Sequence, residues 1–469
     1  MPAERRVPFA SKLSFGMGQI AEGVKNTGFG LFVLFYYNQV LGLEGSLCGL
    51  ALGIALIFDA VTDPLAGSIS DNWRSRWGRR HPFMVASALP LGLAFWALFS
   101  PPAGLGTAGL FAWLAATAVL TRAAMTLYHV PHMALGAEMT ADFEERTSLV
   151  AYRMAFAYVG MGLAGGLGLG VFFADANGGR LNGAAYTPFA LCMSALMVAT
   201  VWISAFGTWR EIPHLPPAQR SEGTRVLGRL LAETRGAFRN ASFRWLFAGV
   251  LVIYVMVGIE TALTLYVYEF FWELSGREIL IQYAVYPIGL VTGAFVTRAF
   301  HRRFDKRPAL MLGTGGWAVC QVTPVALRLV GWFPENGEPD LLPTLVGFRI
   351  VQGFLVQQAL VSFGSMMADV TDEHELATGR RQEGVFFGAV AFSGKAATGV
   401  GSLLAGVSLD LIAWPTAAAV IPADAVFRLG VVYGPATATF AALSVWCYAH
   451  YGLTRARHQE IAAALRGET

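Results

Sequence analysis

Long apolar runs, broken at intervals by clusters of charge or of Gly and Pro, organise the whole chain. Twelve such runs can be placed, at about residues 12–41, 46–71, 82–100, 106–139, 148–174, 186–208, 242–272, 278–302, 308–330, 341–370, 383–413 and 424–453. They are too long for strands and do not alternate, so the pattern predicts helices. Their length suits a bilayer, which a helix of about 20 apolar residues crosses. The longest polar interval lies between the sixth and seventh runs. From Trp209 to Asn240 it carries Arg210, Arg220, Arg225, Arg229, Arg235 and Arg239, with Pro213, Pro216 and Pro217. It reads as a central loop with a short amphipathic helix around Arg225–Phe238. Residues 1–208 then form an N-terminal six-helix half, 209–240 a loop, and 241–469 a C-terminal six-helix half.

Composition agrees with lipid as the solvent. Of 469 residues 55% are hydrophobic and 14% charged, against about 25% charged in an average soluble domain. A water-soluble enzyme of this size is excluded, because one chain cannot enclose so much apolar surface. The net charge of +3 is too small for a nucleic-acid partner. Cys48, Cys192, Cys320 and Cys447 all lie in apolar stretches with no CxxC, as small core- or lipid-facing residues do. The polar, basic start MPAERRVPFASK has no small-residue cleavage site soon after it, so no cleaved signal peptide is expected.

The basic residues set an orientation. Arg74, Arg76, Arg79 and Arg80 follow the second run; Arg302, Arg303, Lys306 and Arg307 follow the eighth. Arg380 and Arg381 follow the tenth, and Arg455 and Arg457 the twelfth. The opposite loops carry little beyond Arg180 and Arg277. This bias predicts a multi-pass protein of the cell (inner) membrane with both termini and the central loop in the cytoplasm.

The halves also resemble each other. Arg76-Trp77-Gly78-Arg79-Arg80-His81-Pro82 after the second run matches Arg303-Phe304-Asp305-Lys306-Arg307-Pro308 after the eighth. Ala137-Glu138-Met139-Thr140-Ala141-Asp142 after the fourth matches Ala368-Asp369-Val370-Thr371-Asp372-Glu373 after the tenth. Both pairs share nearly the same offset, close to half the chain. The expected fold is therefore all-α: twelve transmembrane helices in two pseudo-symmetric six-helix halves. Transporters that rock one repeat against the other are commonly built this way.

Charges inside apolar runs carry the chemistry, because the bilayer centre makes them costly. In Phe58-Asp59-Ala60-Val61-Thr62-Asp63-Pro64 the two carboxylates are four residues apart and share a face, with Thr62 beside them. Two such groups either bind a hard cation between them, raise one pKa, or pair with a facing Arg or Lys. Lys395 lies among small residues in the eleventh run. It needs a carboxylate, and Asp59 and Asp63 are the candidates, as a pair coupled to ion binding or as a structural bridge. Glu22, Lys25 and Asn26 in the first run either contact substrate or pair within their helix. The fourth run carries Thr121, Arg122, Thr126, Tyr128, His129 and Pro131; His129 either lines a cavity or is a satisfied core residue. Arg153 on the fifth faces the same space or pairs with an acid. Tyr254, Glu260, Tyr266 and Tyr268, with Gln357 and Gln358, are candidates for a second wall. The Gly67–Arg80 loop lacks the strand and Gly-Lys-Ser/Thr ending of a phosphate-binding loop. It reads as a charge network latching a conformation, through Asp71, Arg76, Arg79 and Arg80. The Gly-rich stretch Gly160–Gly170 reads as close helix packing.

These residues carry a family resemblance. Gly67–Arg80 resembles the conserved loop of the major facilitator superfamily. Asp59-Ala-Val-Thr-Asp63-Pro-Leu-Ala-Gly67 with Arg74-Ser-Arg76-Trp-Gly78-Arg79-Arg80 resembles the glycoside–pentoside–hexuronide:cation symporters, the melibiose permease family. So do Lys12-Leu13-Ser14, Tyr36-Tyr37, Glu144-Glu145-Arg146-Thr147, Gly379-Arg380 with Glu383-Gly384, and Lys395. The resemblance implies a cation site at Asp59, Thr62, Asp63 and Thr126, with Thr62 where the family has Asn. It implies a helix-eleven Lys at Lys395 and a near-sugar Arg at Arg153. The family's sugar-binding Asp residues fall on Gly23 and His129, the Lys before the first on Glu22, and a Gln-Thr pair on Val390-Ala391. The ion machinery is thus retained while the galactoside-binding groups are replaced. His129-Val130-Pro131 and Ala151-Tyr152-Arg153-Met154 also resemble the sodium-coupled lysolipid transporters.

The expectation is a monomeric secondary transporter in membrane lipid, coupled to sodium or protons, without cofactor. Its substrate is a small glycoside or sugar-like solute; a lysolipid or other amphiphile is the alternative. No metal cluster beyond a sodium site, nucleophile constellation or cofactor motif argues for an enzyme.

Overall fold

The structure, a computed structural model, describes residues 6–215, 236–380, 382–418 and 420–466. Among the described residues every regular element is helical. In chain order they are α1 (Phe9–Met17), α2 (Gln19–Thr27), α3 (Gly45–Asn72), α4 (His81–Leu98), α5 (Thr107–Glu138), α6 (Phe143–Leu167) and α7 (Tyr186–Gly207). Then come α8 (Ala241–Tyr266), α9 (Gly276–Arg303), α10 (Lys306–Leu329), α11 (Leu341–Thr378), α12 (Glu383–Leu411), α13 (Ala423–Val431), α14 (Thr437–Ala449) and α15 (Arg455–Leu465). Short 3-10 and π-helical turns link or extend several of them. Most of the predicted amphipathic helix around Arg225–Phe238 lies outside the described residues.

Eleven of the helices, with their extensions, are long and apolar enough to cross a membrane. The twelfth predicted span is the first run, which is divided. Gly18 separates α1 from α2, and π-helical turns at Gly28–Val33 and Tyr36–Val40 continue the helix. The local ends follow ordinary capping chemistry. Asp142 accepts from Glu145 N at 2.8 Å and Asn240 from Phe243 N at 2.8 Å. Ser275 and Glu278 form a reciprocal box at the start of α9. Gly379, at φ 67°, ends α11. The Ala368–Glu373 segment, expected to follow the tenth span, lies inside α11. Apolar content marks where lipid ends; the helix continues until a residue stops it.

The described residues divide into two compact units, one of residues 6–215 with 415–418 and the other of residues 236–380, 382–414 and 420–466. Their internal packing repeats. In the first, α5 packs on α3 and α4, α4 on α7, and α2 on α6. In the second, α11 packs on α9 and α10, α10 on α14, and α8 on α12. Helices α3 and α9 each have 28 residues, and one offset carries Gly45, which opens the first, onto Gly276, which opens the second. The same wide turn precedes both. Leu41 N donates to Tyr36 O and Leu43 N to Tyr37 O at 2.9 Å. At the same offset Trp272 N donates to Val267 O and Leu274 N to Tyr268 O, also at 2.9 Å.

Close backbone approach also repeats. A Cβ on Gly23 would lie 2.2 Å from Ala157 O, and one on Gly160 2.3 Å from Ile20 O. Between α8 and α12, a Cβ on Gly258 would meet Thr398 O at 2.4 Å and one on Gly401 Val255 O at 2.2 Å. Large apolar side chains point outward from the spans, Leu93 and Phe295 among them, as they do where the surroundings are hydrocarbon.

Candidate functional site

In the first unit α3 and α5 lie side by side, and each offers two polar residues four positions apart: Asp59 and Asp63, Arg122 and Thr126. That spacing stacks both pairs on one face of their helices. Thr126 Oγ1 lies 2.8 Å from Asp59 Oδ1 and 3.0 Å from Asp63 Oδ1. Arg122 Nη1 reaches Asp59 Oδ2 at 3.4 Å, and its guanidinium stands 4.7 Å from the centre of the Phe29 ring. Asp59, Arg122 and Thr126 are buried and Asp63 half-buried. One hydroxyl thus serves two carboxylates, and Arg122 reaches one of them, Asp59. Thr62 turns away: its hydroxyl donates to Phe58 O at 2.9 Å on its own helix.

Glu22 on α2 takes both proposed partners. Lys25 Nζ donates to Glu22 Oε1 at 2.9 Å and Asn26 Nδ2 at 3.2 Å. His129 Nδ1 of α5 lies 3.8 Å from Glu22 Oε2. The intrahelical pair and the link to α5 therefore coexist. Lys25 is buried, so its ammonium depends on that carboxylate. Arg153, half-buried, sets Nη1 against the Met133 thioether.

Of the four residues expected to act as a latch, Arg79 and Arg80 converge on a partner that the loop pattern alone does not supply. Glu138, in the last turn of α5, accepts from Arg80 Nη2 at 2.7 Å and Arg79 Nη2 at 2.9 Å. Arg80 also contacts Asp71 and donates from Nη1 to Ser70 Oγ at 2.6 Å. Arg76 stands apart, its guanidinium 5.6 Å from the centre of the Trp77 ring. The second unit carries the counterpart, Lys306 Nζ to Asp369 Oδ2 at 2.7 Å. Glu138 and Asp369 occupy equivalent places in the two repeats, and the repeated segment around each was the signal for them. Lys12 and Glu145, from two of the motifs, pair at 2.8 Å.

In the second unit Lys395 is half-buried on α12, next to Gly394, whose missing side chain leaves room for Tyr254. Gln358 Nε2 donates to Gly293 O at 2.9 Å, and Tyr266 packs on Trp414. Glu260 instead pairs with Arg349 at 3.4 Å. Arg349, in Gly347-Phe348-Arg349-Ile350, is a charge inside an apolar run, the same signal that singled out Asp59. Among the described residues no group of three or more His, Cys, Asp or Glu converges to hold a metal ion.

Residues 14–455 match the sequence profile of the family described as MFS/sugar transport protein. An uncharacterised symporter of Synechocystis sp. is 26% identical, over 98% of this chain and 97% of its own. The inner membrane symporter YicJ of Escherichia coli is 25% identical, over 84% and 81%. The isoprimeverose transporter of Lactiplantibacillus pentosus is 20% identical, over 86% and 80%. Among solved structures, the D-xylose-proton symporter superposes with a TM-score of 0.63 at 15% identity, over 94% of this chain and 97% of that one. The nucleoside transporter NupG gives 0.64 at 15%, over 95% and 98%. The likenesses to solved structures show the fold.

Proposed function

The chain belongs to the MFS/sugar transport protein family, and we propose that it is a symporter in which a monovalent cation, sodium or proton, drives uptake of a sugar-like solute. Within the family's setting it is a multi-pass membrane transport protein and not an enzyme. The observation that carries the coupling proposal is the grouping of oxygens around Thr126. Asp59 and Asp63 share its hydroxyl, and Arg122 donates to Asp59. Two carboxylates four residues apart on one helix thus share one hydroxyl inside the spans, an arrangement that a sodium ion or a proton suits. Carboxylate and hydroxyl oxygens are the ligands that hard cations prefer.

In this reading the cation binds between α3 and α5, and the Glu22–Lys25–His129 group lies on the neighbouring face as part of the solute site. The names of the relatives support the class of solute: one is an isoprimeverose transporter and two are symporters. The basic loops favour both termini in the cytoplasm. The test is uptake into proteoliposomes under an imposed sodium or proton gradient, with methyl glycosides, glucuronate and a lysophospholipid offered in parallel. Gradient-driven accumulation of a glycoside is the expected result. Accumulation of the lysolipid alone, or glycoside flux indifferent to both gradients, would overturn it.

A further inference from the structure

Glu260 and Arg349 form a charge pair inside the spans of the second unit, and the coupling site makes no use of it. Its position is set by backbone contact. A Cβ on Gly289 would lie 2.1 Å from Ile350 O, and one on Gly353 2.5 Å from Tyr286 O. Helices α9 and α11 therefore touch one turn from Tyr286 and Arg349. The guanidinium is held 4.5 Å from the centre of the Tyr286 ring. From the other side Arg349 Nη1 reaches Glu260 Oε1 at 3.4 Å and Gln352 Oε1 at 2.6 Å, and Gln352 Nε2 donates to Gln321 Oε1 at 2.8 Å. Tyr268 and Tyr283, edge to face at 6.2 Å, lie within electrostatic reach of the pair.

A structural bridge between two helices would use its hydrogen bonds. Buried polar atoms are paired in the great majority of cases. Here Arg349 Nε and Gln321 Nε2 are both buried without a partner among the described residues. Gln321 as a whole is only 8% exposed. Glu260 and Arg349 keep 12% and 15% of their side chains accessible, so the group borders a space. Donors, a carboxylate edge and the face of Tyr286 are thus grouped around Arg349 at the border of that space. That combination suits a pyranose or furanose ring, whose hydroxyls take donors and acceptors together and whose C–H face packs on an aromatic ring.

We propose that Glu260, Arg349, Gln321 and Tyr286 form a subsite in the second unit that binds the neutral, polyhydroxylated ring of the transported solute. The inference rests on the sugar-symport reading and narrows it. Glu260 already balances Arg349, so the subsite is neutral overall and takes an uncharged ring. A carboxylated sugar would bring a second negative charge against Glu260. The site selects glycosides over hexuronides for that reason.

The experiment is counterflow in proteoliposomes with methyl xyloside, methyl glucoside and glucuronate, for wild type, Glu260→Gln and Gln321→Leu. Wild type is expected to take up a methyl glycoside and to discriminate against glucuronate. Glu260→Gln raises the KM for that glycoside at least tenfold and lowers the KM for glucuronate, since Arg349 is then uncompensated. Gln321→Leu, which changes no charge, raises the glycoside KM several-fold and leaves the glucuronate preference as it was. An unchanged glycoside KM in Gln321→Leu overturns the subsite, whether or not Glu260→Gln folds. A wild-type protein that carries none of the three sugars overturns the sugar-symport reading itself, a result distinct from normal uptake with insensitive variants.

Discussion

Replacing Asp63 by Asn removes one of two like charges and leaves the shape of the site almost unchanged. The structure gives the magnitude. The two carboxylate oxygens sit 2.8 and 3.0 Å from one hydroxyl, so they are no more than about 6 Å apart. At an effective dielectric of about 20, two unit charges at that distance repel by about 3 kcal/mol. A bound cation relieves that repulsion; Asn relieves it permanently. The variant should therefore need about a hundredfold more cation for half-maximal stimulation, since about 1.4 kcal/mol is a factor of ten. It should also melt no lower than wild type in detergent, because a repulsion has been removed and the apolar packing is untouched. The assay pairs cation-titrated counterflow with thermal melting, each in sodium at fixed pH and across pH without sodium. Wild type is expected to melt higher as cation is added and the variant to be flat. An Asp63→Asn protein with a wild-type cation response would refute the assignment. A variant that melts well below wild type would show that Asp63 is a structural ion-pair partner instead.

Glu138→Gln should cost about 2–3 kcal/mol, near the low end for breaking a buried pair because Asp71 and Ser70 still contact Arg80. Thermal melting reads this, against Asp369→Asn as its counterpart. That change should cost about 1 kcal/mol or less, because the Lys306 side chain is 36% exposed while that of Arg80 is 4% exposed. Gly160→Ala should lose about 1–3 kcal/mol or fail to accumulate, because its new Cβ would sit 2.3 Å from Ile20 O. Gly162→Ala, two positions along the same helix with nothing within 4 Å, should be neutral or slightly stabilising by the same melting assay.

The spans were legible because lipid imposes one strong rule, that apolar length must match the bilayer. The rule tells where a helix leaves lipid and not where it ends, which is why α11 runs on past Ala368 to Thr378. It also reads a span as continuous, and so gives no sign of the interruption at Gly18 or of the wide turns after Thr27. Asp59 and Asp63 were legible from i, i+4 spacing alone. Thr126 and Arg122 were candidates on α5 by type, but which of them bridges and which pairs depends on how α5 is rotated against α3. Glu138 was visible only as part of a repeat, since an acid at a helix end is ordinary until two arginines from another loop reach it. Arg349 was missed although it bore the signal that marked Asp59. Its neighbours are apolar, and its acid partner is 89 residues away.

The repeat also says which chemistry belongs to the scaffold. The offset that carries Gly45 to Gly276 also carries Glu138 to Asp369 and the wide turn after Tyr36 to the one after Val267. The ion pairs of Glu138 and Asp369 and the turn therefore recur in both units. The same offset carries Asp59 to Leu290 and Asp63 to Ala294. In the other direction Glu260 falls on Phe29 and Arg349 on Ala118. Charges at the helix ends are thus held in common, where water keeps them cheap and they serve both copies alike. These charges inside lipid occur in one copy each, because each is costly and is kept only where a task needs it. The two interior groups differ in the sense the tasks require. The α3–α5 cluster groups carboxylate and hydroxyl oxygens, the chemistry of the proposed cation site, whereas Glu260 and Arg349 form an opposite-charge pair, the chemistry of the proposed neutral-ring subsite. The repeat thus accounts for the frame, and the interior charges, which it does not copy, are where the proposed coupling and recognition roles lie.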